Sequence, residues 1–229
     1  MIKAAVFDIG GTLVQYPLYW RSLYRSALEK TALDCGIALT EEMIISASDI
    51  LMKYNTRSSP REYEVTSDVI FTEILSAWEC QADKEKIKTA FFSFFNSDAA
   101  PFPEAREAIM QLKQSGIKIG VLTDVAYGMD NKFILQGISP LSDLIDIVVT
   151  SVDTGYRKPH NAGYLKLLEH FSVPPKEMLY IGDEEKDVIG ANRLGIVSVL
   201  INRTDIQKDF GQKYTINSLT DIQDIIYNV

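Results

Sequence analysis

Between residues 104 and 201 short apolar runs alternate with stretches of helical spacing, and this alternation limits the fold more than any other feature of the chain. Residues 104–115 place Ala105, Ala108, Ile109 and Leu112 on one helical face, and Gly116 supplies a stop. A strand over 117–122 follows, then a strand over 145–150, a helix over Ala162–Phe171, a strand over 178–181, a helix over 187–194 and a strand over Val197–Ile201. Strands joined through helices pair in parallel, because each crossover returns the chain to the same end of the sheet, and the helices cover its faces. Residues 2–7 read as a further buried strand that runs into Asp8 and breaks at Gly10 and Gly11.

Residues 15–98 interrupt the rhythm with helical patterns and no strand between them: Trp20, Leu23, Tyr24, Ala27 and Leu28, then Val69, Ile70, Glu73, Ile74 and Trp78, then Ile87, Phe91, Phe94 and Phe95. Ser97-Asp98-Ala99-Ala100-Pro101 reads as the return linker, with Pro101 and Pro103 limiting helix continuation. The expected architecture is α/β: a Rossmann-like, doubly wound parallel sheet formed by residues 1–14 and 100–229, with an all-helical cap domain inserted at 15–99. A chain of 229 residues accommodates one such core and a smaller insert.

Lys and Arg total 23 against 31 Asp and Glu, a net charge of −8, which disfavours nucleic acid or an anionic membrane as the main partner. No apolar run reaches the ~20 residues a membrane helix needs. Cys35 and Cys80 are too few for a disulfide framework, and the start of the chain lacks a signal-peptide pattern, so the expected location is cytoplasmic. Nothing in the sequence bears on oligomeric state.

In a doubly wound sheet ligands bind beyond the carboxyl ends of the strands. Those ends carry Asp8, then Thr123 and Asp124, then Lys158 within Tyr156-Arg157-Lys158-Pro159, then Gly182-Asp183. A carboxylate nucleophile, a hydroxyl, an ammonium and a further carboxylate converging at one point suit phosphoryl transfer. Two close carboxylates repel, a divalent cation relieves the repulsion, and oxygen ligands favour Mg²⁺.

These residues resemble the haloacid dehalogenase-like hydrolases whose helical cap follows the first motif. Asp8-Ile9-Gly10-Gly11-Thr12-Leu13 is similar to that family's first motif, Thr123 to its second, Lys158-Pro159 to its third, and Gly182-Asp183-Glu184-Glu185-Lys186-Asp187 with Gly190-Ala191 to its fourth. The resemblance implies that Asp8 attacks phosphorus and becomes an aspartyl phosphate. It implies that Thr123, Lys158 and the backbone of Gly10, Gly11 and Thr12 hold the phosphoryl oxygens, with Asp124 beside them. It implies a Mg²⁺ site made by Asp8, the carbonyl of Gly10 and Asp183, with Asp187 in support.

One position departs from the family. Its phosphatases carry a second Asp two residues after the nucleophile as general acid and base, and here that residue is Gly10. Asp124 and Glu184 are the candidate substitutes. The leading function is a Mg²⁺-dependent phosphatase of a small phosphorylated metabolite, slowed by Gly10. The rivals are a 2-haloacid dehalogenase, a phosphonate hydrolase using Lys53 as imine-forming amine, and a phosphometabolite-binding protein with little turnover. Tyr16, Tyr19, Trp20 and Arg21 are secondary candidates for substrate contact, with a core role the more common one for such a run. Lys53, Arg57 and Arg61 are expected on a solvated face, and His160 and His170 at the surface or a helix end.

Overall fold

The structure is a computed structural model that describes residues 1–16, 20–97, 99–204 and 206–228. Strand β1 (Ala4–Phe7) is buried along its whole length, with Ala5 and Phe7 in one apolar cluster and Ala4 and Val6 in another. Successive side chains of a strand point to opposite faces, so these clusters are the two sides of a covered sheet. After the Asp8 loop comes β2 (Val14–Gln15), and the chain then enters four helices: α1 (Tyr24–Cys35), α2 (Glu41–Tyr54), α3 (Ser67–Ala77) and α4 (Lys84–Asn96). It returns through β3 (Ala100–Pro101), which pairs antiparallel with β2, and Phe102 N–H donates to Leu13 O at 2.9 Å. Entry and exit of the insert therefore run side by side. Asp98 of the return linker lies outside the described residues.

Within the insert the expected positions Tyr24, Ala27, Leu28, Ile70, Ile74, Ile87, Phe91 and Phe95 are buried, whereas Val69 faces outward. Helix α2 is started by the Thr40 hydroxyl, which accepts the Met43 N–H, and buries Ile44, Ala47 and Leu51 at helical spacing. Asp83 caps α4 in the same way, accepting the N–H of Glu85 and Lys86. Phe71, Phe91 and Phe92 then pack edge to face at 5.2–5.6 Å between centroids, the quadrupole-favoured arrangement.

The remaining elements are α5 (Ala105–Gln114), β4 (Lys118–Thr123), α6 (Asn131–Gly137), β5 (Ile147–Thr150), the single turn α7 (Ser151–Thr154), α8 (Ala162–Phe171), β6 (Met178–Gly182), α9 (Glu185–Arg193), β7 (Val197–Ile201), β8 (Tyr214–Ile216) and α10 (Ile222–Asn228). The six-stranded sheet has the order β5-β4-β1-β6-β7-β8, every pair parallel, an α/β Rossmann-like fold. Apolar residues of α5 and α10 pack on one face and those of α8 and α9 on the other. Strand β8 and helices α6 and α10 lie outside the expected list: three residues of β8 and seven of each helix are too few to display a period.

Because β1 lies between β4 and β6, the strand order reverses there, and Asp8 emerges at the switch point. Among the described contacts between the insert and the sheet side of the molecule are a lysine cluster and a backbone bridge. Buried Lys88 of α4 binds Asp130 at 3.0 Å together with Asp68 and Glu85 at 2.8 and 2.7 Å. Segment 62–64, between α2 and α3, bridges to 155–157, with Glu64 N–H donating to Gly155 O and Arg157 N–H to Glu62 O, both at 2.8 Å. No described helix is long and apolar enough to cross a membrane.

Candidate active site

Asp8, Thr123 and Asp183 follow from or end three adjacent strands, β1, β4 and β6, which brings their side chains to one crevice although 175 residues separate the first from the last. Lys158 reaches the same point from the loop after α7. Its Nζ lies 2.7 Å from Asp8 Oδ1 and 2.6 Å from Asp187 Oδ1, and also 3.1 Å from the Tyr180 hydroxyl. Burial opposes the charge on Lys158, yet Asp187 and Asp8 hold its pKa well above the usual lysine range. A buried ammonium keeps its proton when carboxylates surround it.

One oxygen each of Asp8, Asp183 and Asp187 lies within 4.8 Å of the others, a group that could hold a metal ion. Burial pushes Asp8 up to about 6 against the pull of Lys158, and burial with the charges of Asp8 and Asp187 pushes Asp183 up to about 7. Asp183 has no ion-pair partner among the described residues; its nearest donor is the Thr12 hydroxyl at 3.4 Å. Three carboxylates around one ammonium, with oxygen donors only, fit a hard divalent cation. Both oxygens of Asp187 are already bonded, Oδ1 to Lys158 and Tyr180 and Oδ2 to Glu184 N–H at 3.0 Å, which leaves Asp183 as the open donor beside Asp8.

The glycines make this crowding possible. Gly11 has φ +77°, and a Cβ there would stand 2.4 Å from Asp183 Oδ2; a Cβ at Gly182 would stand 2.3 Å from Asp187 Cγ. Gly10 is different. It is absent from the positive-φ residues, and a Cβ on it would sit 3.6 Å from the Tyr16 ring, an ordinary contact. Tyr16 thus borders the space into which a side chain at position 10 would project, and burial together with the Asp8 charge pushes its phenol up to about 12. Within the loop Gly11 N–H donates to Val14 O and Thr12 N–H to Ile9 O, so these two amides are engaged. Thr123, at the end of β4, is buried as a residue, and its hydroxyl has no partner among the described residues.

Neither candidate replacement acid is poised to give a proton. Asp124 Oδ1 accepts the Lys158 N–H at 2.9 Å and Oδ2 lies 3.0 Å from Lys186. Burial alone would raise its pKa, but Lys158, Lys186 and Arg157 outweigh that and hold it below the carboxylate range. Glu184 is likewise lowered: burial opposes, while Lys186 at 2.9 Å and Arg57 at 2.8 Å prevail.

A family model described as a haloacid dehalogenase-like hydrolase matches residues 2–195. The chain belongs to the haloacid dehalogenase-like hydrolases. It is 30% identical over 237 residues to a glyceraldehyde 3-phosphate phosphatase of Methanocaldococcus jannaschii, covering 100% of this chain and 99% of that protein. Among solved structures, a HAD phosphatase from Thermococcus onnurineus aligns with TM-score 0.69 and 21% identity over 98% of both chains. A 2-haloacid dehalogenase from Pseudomonas syringae pv. Tomato DC3000 aligns with TM-score 0.70 and 20% identity over 100% of this chain and 99% of the other. Likeness of shape to both speaks for the fold alone.

Several residues of this hydrolase's crevice carry no signal in a sequence scan. Tyr180 sits inside β6 and turns its hydroxyl to Lys158, Asp187 and Leu122 O. A tyrosine in a buried apolar strand was the available hint, since its hydroxyl needs a partner. Arg203, just after β7, donates to Gly11 O at 3.2 Å and Thr12 O at 3.0 Å and so braces the glycine loop. Lys53 does not join the site. It is exposed on α2, 2.7 Å from Glu73, and that hydrogen bond raises its pKa. Arg61, expected in solvent, is instead buried, its side chain 8% exposed. His170 lies in the last turn of α8, and His160 stacks on Tyr156 at 3.9 Å. Tyr19 falls outside the described residues, as do the side chains of Trp20 and Arg21.

Proposed function

We propose that this hydrolase is a Mg²⁺-dependent phosphatase of a small phosphorylated metabolite. The observation that carries the reading is the pairing of buried Asp8 with Lys158 at 2.7 Å beside Asp183, a carboxylate with no cation of its own among the described residues. The phosphatase name of the archaeal relative, aligned along essentially its whole length, supports the same reading. Asp8 attacks phosphorus through the oxygen not engaged by Lys158, the bond to the leaving oxygen breaks, and water then cleaves the aspartyl phosphate. The Thr123 hydroxyl, the Lys158 ammonium and the amides of Ile9 and Gly10 hold the phosphoryl oxygens. Asp187 fixes Lys158, while Asp8, Asp183 and the Gly10 carbonyl hold the cation. Bound Mg²⁺ supplies charge neutralisation at the phosphoryl oxygens. Residues 1–14 and 100–229 act as the core and 15–99 as a cap that closes over the crevice. The protein works as a soluble cytoplasmic enzyme.

The test is a panel of alkyl, aryl and acyl phosphates, a phosphonate and a 2-haloacid, each with and without Mg²⁺. Phosphate release that requires Mg²⁺ and is absent in Asp8→Asn supports the reading. Halide release without metal, with no phosphate release, overturns it in favour of the dehalogenase.

A further inference from the structure

Tyr180 of β6 stands beside Val6 of β1, and both belong to the apolar cluster covered by α8 and α9. Its ring packs on Tyr164 of α8, with centroids 4.9 Å apart. Phenylalanine would serve that packing equally, so packing does not account for the hydroxyl. The hydroxyl makes its contacts at the crevice. Its oxygen accepts from Lys158 Nζ at 3.1 Å, and Leu122 O at 3.0 Å and Asp187 Oδ1 at 3.3 Å lie within reach of its proton. With one proton to give, it donates to the nearer acceptor, Leu122 O, the carbonyl just before Thr123.

Lys158 carries three N–H groups on a flexible four-carbon stem. Asp8, Asp187 and Tyr180 take one each, and a further oxygen, Leu122 O, stands 3.5 Å from Nζ. Tyr180 is 0% exposed and the Asp187 side chain 1%, against 10% for Asp8. Tyr180 and Asp187 therefore hold the inner side of the ammonium, and Asp8 holds its crevice side. The N–H toward Asp8 is then the one that a phosphoryl oxygen shares. Two carboxylates alone would leave Nζ free to pivot about the line joining them and to turn its third N–H to Leu122 O. Tyr180 opposes that turn twice, by accepting the third N–H itself and by donating to Leu122 O.

We infer that Tyr180 is a positioning residue of the reaction: its hydroxyl fixes the Lys158 ammonium from the buried side, so that one N–H stays on the crevice side where the phosphoryl group is transferred. This rests on the phosphatase reading and gives Tyr180 a role exercised through Lys158 alone. Tyr164 backs the arrangement, its hydroxyl donating to Asp187 O at 3.3 Å.

The experiment is Tyr180→Phe, which keeps the ring and removes the hydroxyl, assayed beside the native protein on an aryl phosphate with Mg²⁺. A misplaced charge weakens the transition state more than the bound substrate, so kcat should fall by about tenfold to a hundredfold while KM stays within about threefold. Orthovanadate adopts the five-coordinate geometry of phosphorus under attack, so its binding should weaken by about tenfold or more and that of inorganic phosphate by much less. A merely structural hydroxyl would lower the melting temperature but leave kcat per folded molecule and the ratio of vanadate to phosphate affinity unmoved; that result overturns the assignment. Lys158→Gln supplies a second arm. In that background, loss of the hydroxyl should leave vanadate affinity unchanged, and a further loss equal to the first overturns a role through Lys158. If the native protein turns over no phosphate ester, the phosphatase reading fails. Calorimetric binding of vanadate and phosphate with Mg²⁺ then decides Tyr180 by itself: selective loss of vanadate in Tyr180→Phe supports the assignment, and equal loss, no loss or no binding overturns it.

Discussion

Glu64 and Arg157 form a buried ion pair, with side chains 1% and 5% exposed, that joins the helical insert to the loop carrying Lys158. The Ser151 hydroxyl also donates to Glu64 and accepts the Val125 N–H at 3.0 Å, while Arg157 donates to Val125 O, so both backbone polar groups of the residue after Asp124 are held by partners of an insert residue. Removing one member of a buried pair leaves the other charge uncompensated, typically at a cost of ~3–5 kcal/mol. Glu64→Gln should therefore lower stability in urea by an amount in that range and reduce kcat, since the 124–125 backbone loses its anchor. A variant as stable and active as the native protein would show that the insert and the site are independent.

Asp8→Asn should abolish phosphate release with the fold retained, because the amide keeps the shape but lacks the attacking charge. Asp183→Asn should remove the metal response. By mass action, a ligand at one hundred times its Kd stabilises by about 2.7 kcal/mol, so Mg²⁺ should raise the melting temperature of the native protein and leave Asp183→Asn unmoved. An equal rise in both would place the cation elsewhere.

Asp8 and Asp183, raised from 3.8 to about 6 and about 7, make the metal-free protein sensitive to pH in a definite direction. Between 3.8 and about 7 the native state binds more protons than the unfolded chain, so this contribution is complete below the window and is lost as pH rises through it. Native protein should lose stability relative to Asp183→Asn as pH climbs across that interval, and Mg²⁺ should close the gap. Denaturant titrations of both proteins at several pH values, with and without Mg²⁺, measure it; a gap independent of pH would contradict the raised carboxylates.

Gly10 should make turnover steeply dependent on leaving-group pKa, because Asp124 and Glu184 are held ionised by Lys186 and their other partners. Gly10 lacks a positive φ and its Cβ direction is free of clash, so Gly10→Asp should fold. It should accelerate alkyl esters over aryl esters by up to ~10²–10⁴. Gly11→Ala is the contrasting variant: at φ +77° with Asp183 in the way it should be both less stable and inactive. Parallel rates of alkyl and aryl esters in the native protein would mean that another group supplies the proton.

Lys53→Ala should leave turnover unchanged and borohydride should trap no carbonyl on Lys53, because its ammonium is exposed and held by Glu73 rather than desolvated. Trapping would revive carbon–phosphorus cleavage.

The alternation of periods was enough to establish the parallel sheet and the helical insert, and helix α8 and strand β7 lie where spacing put them. The order of strand ends likewise marked Asp8, Thr123, Lys158 and Asp183 as neighbours, because in a parallel sheet all carboxyl ends share one edge. Periodicity records which face of an element is apolar, not what a polar side chain meets. Only the packed chain decided that Asp187 has both oxygens engaged, that Tyr180 reaches Lys158 from inside a strand, and that Asp124 and Glu184 are fastened to Lys186. Arg61 shows the limit best. In a segment rich in Ser, Pro and charge it reads as solvated, yet pairing of 62–64 with 155–157 buries it next to Arg157. That burial depends on contacts between residues about 90 apart in the chain, and local sequence carries no record of such contacts.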